Sequence, residues 1–364
     1  MRSERHTCNG KCRENIFYHI NLFYIFIASG LGATLTLSIL PALISGCSSA
    51  PYQDPGRMVS TEITLNKLQG KSPEGKIPVL DIFVFNDDRL KRLDSYQRFE
   101  GWDSDMVEIA SCSGDKIVYA IANSGFERFG WAQVHSLNSM DRIMARLEEE
   151  DMENPVMSGV MRMSAAGGSN EGAIDLKPLG SMIVVRSIRC DFSGLPYSGE
   201  CIRQARAYLL NVNAECSVTA SGRVLPSRII NSGRFVEDDV SGFRDRSLME
   251  HRFSKEIGNA RLDDGVTFMC YPNSGEEESP GSPFTKLVIE GVVEGNTYYW
   301  PIAVNREGTG TEDDGIYRNY CYIYDIDIRR KGNTDPDTAI SSEDIIINLE
   351  VARWEEKKER NIMF

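Results

Sequence analysis

Residues 320–328 (YCYIYDIDI) alternate cleanly, placing Tyr320, Tyr322, Tyr324, Ile326 and Ile328 on one side of an extended backbone. A period of two carried by aromatic and β-branched side chains fits a strand and excludes an amphipathic helix. The same residue types recur in short runs along the chain. Residues 59–68 (VSTEITLNKL) alternate loosely, as a half-buried strand does, and 69–76 read as a turn or loop with two Gly and a Pro. Residues 77–85 (IPVLDIFVF) are almost wholly apolar and end at Asn86, Asp87 and Asp88, the pattern of a core strand running into a turn. Residues 116–122 (KIVYAIA), closed by Asn123, Ser124 and Gly125, repeat that design. A second set begins near Ala173 and comprises 180–188, 205–213, 266–271, 286–293, 297–304, 320–329 and 344–352. Only 137–150 carries helical spacing, through Met140, Ile143, Met144 and Leu147. The low-complexity stretches 164–172 and 275–282 read as loop tips, and no internal repeat is present. Many short strands and few short helices predict an all-β fold of sandwich type. We place a boundary near Pro178, dividing an N-terminal domain (59–178) from a C-terminal one (179–364).

The first 46 residues follow a different logic. Arg2, Arg5, Lys11 and Arg13 make a basic start, and residues 16–46 contain no Asp, Glu, Lys or Arg. The apolar run stops at Leu43-Ile44-Ser45-Gly46-Cys47, which resembles a lipobox. A basic region, an apolar region and small residues before a cut describe an export signal. On this reading the chain is cut between Gly46 and Cys47, and Cys47 carries the acyl chains. Each buried methylene of those chains contributes about 0.8 kcal/mol to membrane affinity. The alternative is a signal-anchor helix retained in the membrane, because a span needs only about twenty residues. Residues 47–58 are small, polar and proline-bearing, as a tether is. A net charge of −13 and a pI near 5.0 argue against nucleic acid as a partner. Past Cys47 remain Cys112, Cys190, Cys201, Cys216, Cys270 and Cys321, which an oxidising compartment would allow either to pair or to stay buried as thiols.

Catalytic chemistry finds little support. His135 and His251 are far apart in sequence and sit in no metal motif. No strand–turn–helix segment presents a G-x-S-x-G elbow. Gly308 and Gly310 are not followed by the Lys-Ser/Thr and helix of a phosphate loop. Glu312, Asp313 and Asp314 before Gly315 lack the spaced oxygen ligands of a calcium loop and read as a solvated turn. The expectation is a protein that is not an enzyme and has no cofactor and no metal.

Several segments taken together resemble the fimbrillin family, the subunits of Bacteroidia-type (type V) pili. They are the lipobox at Cys47, the run from Asp81 to Asp87 (DIFVFND), Tyr119 to Asn123 (YAIAN), Met157-Ser158-Gly159, and the strand from Leu179 to Ile188. The C-terminal block, Tyr317 to Ile326 (YRNYCYIYDI), residues 345–352 and Trp354, is the most specific piece. The resemblance implies two tandem transthyretin-like β-sandwich domains. It also implies a lipoprotein precursor of the outer membrane and a fimbria that serves adhesion to a host or bacterial surface of unknown identity. Its partners would be other fimbrial subunits, joined by strand exchange once a trypsin-like protease removes the first strand. Carried onto this sequence, the displaced strand holds Val59, Ile63, Leu65 and Leu68, with Lys67, Lys71 and Lys76 at or beyond its end as sites of proteolysis. The donor strand holds Ile345, Ile347, Leu349 and Val351, a pattern that an ordinary edge strand also shows. The sequence departs from the family in one respect, because Arg57 precedes the first strand and no Arg follows it before residue 77. Either another protease acts or the strand and the lipid are kept, as in an anchor, tip or accessory subunit. The competing reading is a monomeric surface lipoprotein that binds glycan or protein through Trp102, Trp131 or Trp300.

Overall fold

In a computed structural model we describe residues 56–67, 77–125, 129–276, 283–306 and 314–354. The near-continuous apolar run predicted at 77–85 becomes a strand buried on both faces, and the N-terminal half is organised around it. β1 (Met58–Lys67), β2 (Ile77–Asn86), β3 (Leu93–Trp102), β4 (Met106–Cys112) and β5 (Gly114–Ala122) are followed by the helical turn α1 (Leu137–Met140) and the short β6 (Met144–Arg146). β7 (Met157–Ala165) and β8 (Asn170–Pro178) complete a seven-stranded sheet in the order β3-β2-β5-β7-β8-β1-β4. β7 and β8 pair only at Met157↔Pro178 and Ser158↔Lys177, so the sheet folds over at that corner. One core then fills the space between β8-β1-β4 and β3-β2-β5, with Ile63, Leu80, Ile82, Val107, Val118 and Ile174 among its members. The opposite faces of β2 and β5 carry Phe83, Phe85, Ile117 and Ile121 into a second, larger core. Strands buried on both sides lose the polar alternation of half-exposed ones.

The second core is closed by the remaining strands: β9 (Ser181–Cys190), β10 (Arg203–Leu210), β11 (Val212–Asn213), β12 (Glu215–Ser217), β13 (Ile229–Ile230) and the turn α2 (Glu237–Val240), then β14 (Glu250–Arg252), β15 (Val266–Cys270), β16 (Lys286–Val293), β17 (Asn296–Ala303), β18 (Tyr320–Ile328) and β19 (Ile345–Arg353). They form two four-stranded sheets, β14-β10-β16-β17 and β15-β9-β18-β19, which share that core. β16 and β17 join through Glu294 and Gly295, both at positive φ, the two-residue turn whose twist matches a hairpin. The alternating segment at 320–328 is an interior strand, parallel to β9 and antiparallel to β19. The all-β sandwich expectation is therefore met.

Two local expectations are corrected. The helix read over 137–150 shrinks to α1, capped by Ser136, because Met144–Arg146 pair instead with Glu215–Ser217 and bury Ala145. Tertiary pairing overrides a weak periodic signal here. Residues 164–172 are not all loop, since β7 runs to Ala165 and β8 starts at Asn170, inside the first sheet. Part of the loop expected at 275–282 lies outside the described residues. Among the described residues the six cysteines past Cys47 form no disulfide with one another, and Cys190, Cys216, Cys270 and Cys321 are buried. Burial pushes the Cys190, Cys216 and Cys270 thiols up to about 12.

Arg318 joins the two halves. Its guanidinium donates to the carbonyls of Lys177 (2.6 Å), Ala220 (2.7 Å), Pro178 (3.1 Å) and Ser158 (3.1 Å), and to the Ser158 hydroxyl. Burial lowers its pKa from the usual arginine value. Bonds from a charged donor contribute about 1.5–3 kcal/mol each, and removing the donor orphans several carbonyls at once. Arg318→Ala is expected to destabilise the protein by about 3 kcal/mol or more in urea unfolding; a loss below about 1 kcal/mol would show that the clamp is not needed.

Candidate functional site

β1 is the first of the described strands and an interior strand of its sheet. It runs antiparallel to β4, from Met58↔Cys112 to Thr64↔Met106, and parallel to β8, from Thr61↔Asn170 to Lys67↔Leu176. Its alternate residues Val59, Thr61, Ile63 and Leu65 are buried, as the strict period of a one-sided strand requires. Ser60, Glu62, Thr64 and Asn66 face solvent, where Ser60 donates to Glu108 at 2.5 Å and Asn66 to Asp175 at 2.8 Å. The fit is imperfect at one position: the buried Thr61 hydroxyl has no hydrogen-bond partner.

The strands flanking β1 are held by contacts that do not pass through it. β4 is fastened to β3 by side chains, with Ser95 (2.7 Å) and Gln97 (3.2 Å) donating to the Ala110 carbonyl. Asp94 accepts the Cys112 N–H at 2.8 Å and pairs with the buried Lys116 at 3.0 Å. Burial alone would raise the Asp94 carboxyl, but Lys116 and the Cys112 N–H hold it below the usual range. On the other side, Met161 of β7 lies over Gly172 of β8, where an added Cβ would come within 2.6 Å of the Met161 methyl. Taking β1 away thus leaves an apolar trough with two unpaired strand edges and its own supports.

Of the residues expected in the displaced strand, Val59, Ile63 and Leu65 take part as read, and Thr61 joins them. Leu68, Lys71 and Lys76 lie outside the described residues, as do Gly46 and Cys47. Lys67 ends β1, its backbone paired with Leu176. Arg57 is exposed, but its carbonyl accepts the Ser113 N–H at 2.9 Å.

β19 has the complementary character. Among the described residues it is an edge strand, paired along its length to β18 alone. Ile345 is buried, and Ile347, Leu349 and Val351 on the same face are half-buried against the larger core. Its outer face is tied down by charge, since Arg186 of β9 reaches across β18 to contact Asp325 at 2.5 Å and Glu350 at 2.8 Å. The Arg186 hydrogen bond holds the Asp325 carboxyl below the usual range, against the effect of burial.

The other residues singled out do not converge. Trp300 is fully buried and donates to the Arg330 carbonyl at 2.9 Å. Trp131 packs on Phe83 and Phe129 and donates to Asp81 at 3.2 Å, while Trp102 packs on Phe99. None of the three stands as an open stacking platform. Among the described residues no cluster of His, Cys, Asp and Glu could hold a metal, and no helix is long and apolar enough to cross a membrane. Sequence reasoning missed the buried Asp81, which accepts from Tyr96 at 2.6 Å, from Ser124 and from Trp131, and lies 3.4 Å from Arg98. Burial, and then Asp81, push the Tyr96 hydroxyl up to about 12.

No protein-family profile and no curated protein matches the chain. Solved structures do match in fold. A candidate cell-adhesion protein from Parabacteroides distasonis aligns with a TM-score of 0.62 at 16% identity, over 82% of this chain and 97% of that one. A fimbrilin from Porphyromonas gingivalis aligns at 0.58 and 15% identity, over 81% and 97%. A tip fimbrial protein from the same organism aligns at 0.51 and 12%, over 82% and 100%. The chain thus shares its all-β fold with these cell-adhesion and fimbrial proteins.

Two outcomes are expected. Thr61→Val removes an orphaned hydroxyl at nearly constant shape and should stabilise the protein by about 1 kcal/mol in urea unfolding; a destabilised variant would mean that the hydroxyl has a partner. Asp325, whose carboxyl is depressed in the folded state, contributes stability that is full above the unfolded value of about 3.9 and lost as pH falls through the folded one. The stability gap between wild type and Asp325→Asn should therefore be widest near neutral pH and close below about pH 4; a gap independent of pH would contradict the Arg186 contact.

Proposed function

We propose that this chain is a structural subunit of a surface fimbria, exported as a lipoprotein that is acylated at Cys47, held at the outer membrane, and joined to its neighbours by β-strand exchange. The observation that carries the reading is the place of β1: the first described strand is an interior strand with one apolar face, and the strands beside it keep their own supports. The fold likeness to a fimbrilin and a tip fimbrial protein supports the same reading. We read 59–178 as the domain that accepts a strand and 179–364 as the one that donates it.

The side chains favour exchange. Val59, Thr61, Ile63 and Leu65 fill the trough of the uncut chain, and Ile345, Ile347, Leu349 and Val351 of a second copy have the same period and number. Laid in either direction, the incoming strand puts an aliphatic residue where Thr61 leaves its hydroxyl unpaired. Each added buried methylene contributes about 0.8 kcal/mol. Main-chain bonds to β4 and β8 supply affinity, and alternate side chains fix the register. The cost falls on β19, which must leave β18 and Arg186. As an edge strand with half-buried side chains it is the easier of the two to detach.

The test uses protein from Ser48 onward with a specific protease site placed between Leu68 and Lys76, cut after folding. Added peptide 344–354 should displace β1, giving a complex that resists dissociation in detergent and a released fragment ending before Lys76. Uncut protein should take up no peptide. A cut protein that keeps its circular dichroism and its β1 fragment, and binds no peptide, would overturn strand exchange.

A further inference from the structure

The C-terminal half contains a second groove, used neither by β1 nor by the trough around it. It is a cleft of about 790 Å3 between the edge of β17 at Pro301, Ile302 and Ala303 and the edge of β19 at Ile345, Ile347 and Leu349. Tyr324 and Phe284 line it as well, beside Glu276, Lys286, Arg306 and Asp314, so its walls mix apolar and polar groups. Both edges are open here. β17 pairs with β16 on its inner side, and Pro301 has no N–H to offer a ladder, which suits an edge position. Among the described residues no backbone group bonds the outer edge of β19 between Ile345 and Leu349.

Among the described residues, one cation of this cleft has no acidic partner. Lys286 lines it but is satisfied, with the Asp337 carboxylate at 2.7 Å and the Asp337 carbonyl at 2.6 Å. Glu276 on the rim is engaged by Arg223 at 2.8 Å. Arg306 lies with its guanidinium 5.0 Å over the Phe284 ring, and its Nε and Nη2 are buried with no hydrogen-bond partner. Asp314, also on the rim, makes no ion pair with it. Buried guanidinium N–H groups without acceptors are costly, and a carboxylate presents the planar pair of oxygens that they fit.

We infer that this cleft is a docking site for an extended acidic segment of another polypeptide, which adds as a strand to the outer edge of β19, sends alternate apolar side chains between Ile302 and Ile347, and places a carboxylate on Arg306. The cleft requires β19 to stay docked on β18. It is therefore a property of a subunit that has not donated β19, and the inference does not depend on exchange at β1. A segment bound here would also hold β19 back from donation.

The experiment uses uncut protein from Ser48 onward, so its failure leaves the exchange assay untouched. The probes are blocked octapeptides alternating isoleucine and threonine with one glutamate, and the same peptides with glutamine. Titration calorimetry should find the glutamate peptide about tenfold tighter than its glutamine twin. Arg306→Gln should abolish that preference, and Arg306→Lys should keep part of it. Amide exchange should slow along Ile345–Leu349 when peptide is bound. Equal affinity for the two peptides, binding by acetate alone to the same extent, or a preference that survives Arg306→Gln would each overturn the assignment, as would no binding at all.

Discussion

The N-terminal half depends on one strand that is first among those described and interior in space. β1 gives one ladder to β4 and one to β8, and presents four buried side chains to the core. Parallel neighbours require a crossover, and here the chain builds β2 to β7 before β8 returns to lie beside β1. The contacts of β1 are thus long-range, while the hairpin of β7 and β8 and the seam between β3 and β4 are local. That asymmetry makes β1 separable from the rest. A sheet missing an interior strand exposes two rows of backbone donors and acceptors over an apolar floor, a surface that recruits any strand of the right period.

The C-terminal half is organised in the opposite sense. Its last described strand lies at an edge, laddered to β18 and packed on the core by one face, with an ion pair from Arg186 to Glu350 on the other. Partly exposed ion pairs contribute little each and weaken with salt. Arg318 works differently: with several carbonyl acceptors and no acid, it fixes the ends of β7 and β8 to the approach of β18. Movement of β19 would leave that clamp in place.

Much of this was legible in the sequence, for reasons that can be named. Residues 77–85, 116–122 and 320–328 combine β-branched and aromatic side chains with turn residues at their ends, so their strands fall where expected. β3 (LDSYQRFEGW) was not legible, because an edge strand with half-buried residues on both faces carries no clear alternation. The parallel pairings of β1 with β8 and of β9 with β18 join distant segments, and no local pattern encodes them. Met144–Arg146 carried helical spacing, yet their partner strand lies beyond residue 214. For the site, the alternation of Val59, Ile63 and Leu65 and of Ile345, Ile347, Leu349 and Val351 was readable. That β1 is interior and β19 an edge was not. Arg306 belongs to no motif, and only the cleft around it gives it meaning.

The central claim is that β1 leaves its place when subunits join, and the N-terminus of the chain in native filaments reports on this directly. Filaments sheared from cells and outer-membrane fractions would be digested and their N-terminal peptides measured by mass spectrometry. The account predicts filament subunits that begin beyond Leu68 and carry no lipid, with acylated Cys47 confined to the membrane fraction. Filament subunits that all begin at acylated Cys47 with residues 58–67 still attached would contradict exchange at β1. Acylated Cys47 found only on monomers, never with filaments, would contradict the fimbrial assignment itself.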